Sequence, residues 1–80
     1  MPSKTAVVGS AVGLHARPAA IIAEKAGELG SDVTINGVDA SSSLMIMTLG
    51  AGKGDSVEVA GDDQAAVDAI AELVEQDLDA

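Results

Sequence analysis

The sequence contains no cysteine and no phenylalanine, tyrosine or tryptophan. Without cysteine no disulfide can staple the fold, and one histidine with no thiol cannot build the tetrahedral nitrogen and sulfur site of structural zinc. Bases are scarce, with 4 Lys and Arg against 13 Asp and Glu, a net charge of −9. That balance argues against nucleic acid as a partner, because phosphate backbones are held by clustered Lys and Arg and single strands stack on aromatic rings. The longest apolar runs reach four to six residues, against the roughly 20 that span a bilayer, so no membrane insertion is expected. Met1-Pro2-Ser3-Lys4 lacks the charged-then-apolar layout of a signal peptide, which makes the cytoplasm the expected location.

What is present is apolar but small. Hydrophobic residues make up 48% of the 80-residue chain, yet 15 of those 38 are alanines and 23 are Val, Ile, Leu or Met. A chain of this length buries only roughly 60–65% of its unfolded surface, so residues 1–80 are expected to form one domain around one thin core.

The charge is unevenly placed. Residues 1–54 hold four acids (Glu24, Glu28, Asp32, Asp39) and four bases (Lys4, Arg17, Lys25, Lys53), whereas residues 55–80 hold nine acids and no base. The first 23 residues contain no acid, and His15 and Arg17, the sole histidine and sole arginine, stand two apart within them.

Pattern places the elements. Lys4 to Val8 reads as a strand ended by Gly9, followed by a small-residue loop through Gly13. Ala19, Ile22, Ala23, Ala26 and Leu29 recur at the helical period, and Pro18 fits a first turn, so a helix is predicted from Ala16 to about Glu28, with Gly27 and Gly30 supplying the stop and Gly30 the better left-handed cap. Asp32–Ile35 and Val38–Ala40 flank Asn36-Gly37, the signature of a type I′ hairpin. Ser42 or Ser43 can cap a short helix through Leu49, closed by Gly50, with Ile46 and Leu49 expected inside and Leu44 and Met47 partly outside. Glycines 50, 52 and 54 form a loop before an alternating strand over Asp55–Ala60. Asp62 or Asp63 can then cap a last helix carrying Ala66, Val67, Ile70, Leu73, Val74 and Leu78 inward and Asp68, Glu72, Glu75 and Asp79 outward. The order β-α-β-β-α-β-α describes an α+β domain of two layers.

One constellation carries chemistry. With the helix starting at Ala16, His15 takes the N-cap, where unsatisfied amides and the positive end of the helix dipole favour phosphate. Arg17 adds a permanent charge able to grip phosphate oxygens with two bonds. A neutral imidazole is a competent nucleophile, and a positive field favours that form. The plain alternative is a histidine that only caps a helix, but it leaves Arg17 and the missing acids unexplained.

The segment Gly13-Leu14-His15-Ala16-Arg17-Pro18-Ala19-Ala20 resembles the active-site signature of the HPr family, the histidine-containing phosphocarriers of the bacterial phosphoenolpyruvate-dependent sugar phosphotransferase system. The element order, Ser-Leu-Met-Ile-Met-Thr-Leu-Gly at 43–50 and the glycine loop before the fourth strand extend the similarity over nearly the whole chain. The resemblance implies an open-faced β-sandwich, a four-stranded antiparallel sheet covered on one face by three helices. It implies phosphorylation of His15 on its δ nitrogen by phospho-enzyme I, transfer to the A domains of sugar-specific enzymes II, and stabilisation of the group by Arg17. It implies a substrate of two enzymes rather than an enzyme, acting without a cofactor and as a monomer, with a transcriptional regulator as a further partner. Docking would use Ala16, Ala20, Leu44, Met45, Met47 and Thr48, where adaptable methionine suits a surface fitting several partners.

Low-GC Gram-positive members also carry a regulatory serine at the start of the short helix, which falls on Ser42 here. The triplet Ser41-Ser42-Ser43 leaves the register open, Met45 stands where many relatives have Gly or Lys, and the pattern is more similar to the actinobacterial branch, where that kinase is not expected. A carrier of a nitrogen-related or regulatory branch, and a binding module that no longer cycles phosphate, are the other readings. Retention of His15, Arg17 and Pro18 speaks against the second.

Overall fold

The computed structural model describes residues 2–78. Its elements run β1 (Ser3–Val7), α1 (Ala16–Leu29), β2 (Val33–Ile35), β3 (Val38–Asp39), α2 (Ser43–Thr48), β4 (Ser56–Gly61) and α3 (Gln64–Glu75). This is the predicted order. The strands form one sheet in the order β1-β4-β2-β3, every pair antiparallel, with Val7 opposite Ser56 and Thr34 opposite Ala60.

The period of two in β4 decides which side is covered: Val57, Val59 and Gly61 are buried, while Ser56 and Glu58 are exposed. Helices pack over that buried face, α3 against β1 and β4 and α1 against α2 and α3, which gives the α+β open-faced sandwich. The core is built on one isoleucine from each of four elements: Ile22 of α1, Ile35 of β2, Ile46 of α2 and Ile70 of α3, all fully buried. No helix among the described residues is long and apolar enough to cross a membrane.

Local signals account for most boundaries. Asn36 and Gly37 take φ of 49° and 85°, as the hairpin turn requires. Gly30 ends α1 in the left-handed conformation, whereas Gly27, expected to share in the stop, is passed as an ordinary helical residue because its backbone stays in the ladder. Of the two candidate caps for α2, Ser42 serves, its Oγ accepting from the Met45 amide at 3.3 Å. At α3 the cap is Asp63, accepting from the Ala65 amide at 3.0 Å.

Other expectations need correction. β1 and β4 sit one residue from their predicted bounds. Val8 and Asp55 still pair, the Val8 amide donating to the Asp55 carbonyl at 2.9 Å, but the Gly54 amide then turns back to the Val8 carbonyl and regular pairing stops. β2 begins at Val33 and β3 ends at Asp39, although the Ala40 amide still donates to the Val33 carbonyl. Leu49 is half-buried rather than inside, because it caps α2 instead of lying within it. The last helix ends at Glu75, so Leu78 packs on the core from beyond it. Asp79, expected on its outer face, lies outside the described residues.

Candidate functional site

The site begins at a loop held from two sides. Residues 9–14 leave β1 and deliver the chain to the mouth of α1. The Gly13 amide closes a turn onto the Ser10 carbonyl at 2.9 Å, and the Leu14 amide donates to the Ala51 carbonyl at 2.9 Å. Gly13 holds φ of 75°, and a Cβ placed on it would lie 2.4 Å from the Ala51 oxygen. Both the left-handed backbone and the close approach therefore demand glycine. Leu14 is buried, which fixes the residue before the histidine.

His15 is the N-cap of α1 with φ −90° and ψ −162°, and its side chain makes no capping hydrogen bond. The imidazole is exposed, so the ring is available to another molecule. Its backbone carbonyl accepts the Ala19 amide at 2.9 Å. Pro18, buried in the first turn, has no amide hydrogen. The Ala16 and Arg17 amides are then the donors of that turn with no intrahelical acceptor. Arg17 is exposed, and the first turn holds no acid. A phosphoryl group on this ring would meet backbone donors, the positive end of a 14-residue helix and a guanidinium.

The residues expected to dock partners divide by position. Ala16 and Ala20, one turn apart on α1, are both exposed. Leu44 is 68% exposed and Met45 43%; Thr48 is exposed and Met47 half-buried. α2 packs on α1, and its six residues rise only about 9 Å. Since the Ala51 carbonyl just beyond α2 bonds Leu14, this short apolar helix ends against the His15 loop. Ser42 is half-buried at the start of α2, where its hydroxyl is engaged as the cap.

Two residues escaped the sequence reading. Val12 is 62% exposed in the loop just ahead of His15, an apolar surface residue that only its isolation among small residues could have signalled. Ser10 is the buried polar side chain of that loop, and its partners lie far away in sequence.

Comparison with known proteins identifies relatives of the chain. A family model described as the PTS HPr component phosphorylation site matches residues 2–76. Phosphocarrier protein HPr of Streptomyces coelicolor is 38% identical over 87 residues, covering 99% of this chain and 94% of that protein. The crystal structure of HPr-C-His from Thermoanaerobacter tengcongensis superposes with a TM-score of 0.84 at 30% identity, covering 94% of this chain and 92% of that one. That of a phosphocarrier protein HPr from Bacillus anthracis str. Ames gives 0.83 at 30% identity, covering 91% and 95%. The chain belongs to the HPr family, the phosphocarrier proteins of the phosphotransferase system.

Proposed function

We propose that the chain accepts a phosphoryl group on His15 from phospho-enzyme I and passes it to the A domains of enzymes II in sugar uptake. The observation that carries this reading is the exposed, uncapped ring of His15 at the N-terminus of α1, with Arg17 two residues on and no acid in the first turn.

In acceptance, the Nδ1 lone pair of neutral His15 forms a bond to phosphorus as the donor's phosphorus–nitrogen bond breaks, and that electron pair returns to the donor ring. Donation reverses the roles toward a histidine of the A domain. The Ala16 and Arg17 amides and the Arg17 guanidinium would stabilise the charge that moves, lowering the barrier to transfer in either direction. A site at an exposed helix end encloses no sugar, which suits a protein that is a substrate of two enzymes and turns nothing over alone. Ala16, Ala20, Leu44, Met45, Met47 and Thr48 would supply the apolar contact that seats each partner.

Relay is the test. With phosphoenolpyruvate, enzyme I and an enzyme IIA domain present, the A domain should gain phosphate only when the chain is added. Equal gain without the chain, or no gain with it, would contradict the reading.

A further inference from the structure

Ser10 has no exposed surface, and a buried hydroxyl must find partners or cost the fold its lost hydration. Its partners lie at the other end of the chain. The Ser10 hydroxyl donates to the Gln76 carbonyl at 3.2 Å and accepts from the Leu78 amide at 3.1 Å. Just before it, the Gly9 amide donates to the Val74 carbonyl at 3.0 Å. A Cβ on Gly9 would lie 2.0 Å from the Glu75 oxygen, so the two backbones touch. Residues 9 and 10 and the chain leaving α3 are thus joined by three hydrogen bonds.

The same residue holds the site loop. The Ser10 carbonyl accepts the Gly13 amide, and Gly13 is followed by Leu14, bonded to Ala51, and then by His15. The side chain of Ser10 faces the C-terminal segment while its carbonyl shapes the turn that ends at the histidine.

We propose that Ser10 is a positioning residue for phosphoryl acceptance: its hydroxyl fastens the loop carrying His15 to residues 76–78, making the C-terminal segment part of the support of the site. This rests on the proposed role of His15, and concerns how the ring is held rather than what it accepts. Neither Ser10 nor residues 76–78 belong to the docking surface named above, so loosening this bond changes the orientation of the ring more than the affinity for a partner.

The test approaches the bond between Ser10 and Leu78 from its two ends. Ser10→Ala removes the hydroxyl and both of its bonds, and Leu78→Pro removes the amide that donates to it, together with a side chain packed on the core. Each is expected to lower kcat for enzyme I with the chain as acceptor by roughly threefold to tenfold at unchanged KM, within the roughly hundredfold that an ångström-scale misplacement can cost. The double variant should be no slower than the worse single one. Amide exchange supplies a reading independent of enzyme I: Gly13 and Leu14 should lose protection in Ser10→Ala while Val59 of β4 keeps its own. Unchanged kcat in both variants, additive losses, or equal loss of protection at Val59 would overturn the proposal. If the unaltered chain takes no phosphate, the proposed function fails, and the exchange pattern alone then decides whether Ser10 holds the loop.

Discussion

The Leu14 amide donates to the Ala51 carbonyl over 2.9 Å, and this bond joins the segment that presents His15 to the end of the short helix that carries the apolar surface. The ring of His15 and the short helix α2 are therefore held in one frame rather than on independent loops. Substitutions along that frame should separate its stability from its function.

Gly13→Ala meets both a φ of 75° and the Ala51 oxygen at 2.4 Å. A loss of at least about 2 kcal/mol is expected from strain in the left-handed region together with the clash. Gly30→Ala has a similar φ of 69° but open space around it, and should cost about 1 kcal/mol. Urea denaturation measures the difference; equal losses would mean that the Ala51 contact matters little.

Arg17 stands in the first turn of α1, where the helix dipole disfavours a cation. Arg17→Glu should therefore stabilise the fold by about 0.3–1 kcal/mol while slowing acceptance from enzyme I at least about tenfold, through loss of a charge that strengthens transfer. Thermal unfolding and transfer rates check the two together. Unchanged transfer would refute the role assigned to Arg17.

Within α2, Ile46 is fully buried and Leu44 is 68% exposed. Ile46→Ala should cost about 2–5 kcal/mol, whereas Leu44→Ala should stay within about 0.5 kcal/mol and raise KM for enzyme I several-fold. A Leu44 variant with normal KM would remove that residue from the docking surface.

α3 carries Asp68, Glu72 and Glu75 on its exposed side and no base in its last turn. Asp68 and Glu72 repel at one-turn spacing, and acids near a helix C-terminus oppose its dipole. Glu72→Lys is expected to stabilise by about 0.5–1 kcal/mol at low salt, and the gain should shrink in 1 M salt as roughly 3 Å screening sets in. A gain independent of salt would indicate packing rather than charge.

The Ser41 hydroxyl and amide both donate to Asp39 Oδ1, at 2.7 and 2.9 Å. They hold the Asp39 carboxyl below its usual 3.8. A depressed folded value contributes stability above the unfolded value, and that contribution is lost as pH falls through the folded one. Asp39→Ala should accordingly lower Tm more at pH 7 than near pH 2. An equal loss at both values would rule out the ionised form as the source.

Much of this molecule was legible in its sequence because the deciding signals are local. His15 at the N-cap follows from Pro18 and the apolar spacing of Ala19, Ile22 and Ala26; the hairpin follows from Asn36-Gly37. The split of α2 into a buried Ile46 and an exposed Leu44 follows from a helix too short to bury every face. What was missed depends on contacts distant in sequence. Nothing around Ser10 announces that residues 76–78 will return to its hydroxyl, and the periodicity of the last helix runs on to Leu78 although the backbone leaves the helix at Glu75. Apolar spacing records which side chains face the core, not whether the backbone between them is still helical.

The central claim is that His15 carries a phosphoryl group, and intact mass after incubation with phosphoenolpyruvate and enzyme I tests it most directly. The account predicts a gain of one phosphate that is lost on acid treatment and absent in His15→Ala. No gain with an enzyme I shown to be active, or a gain that survives in His15→Ala, would contradict it.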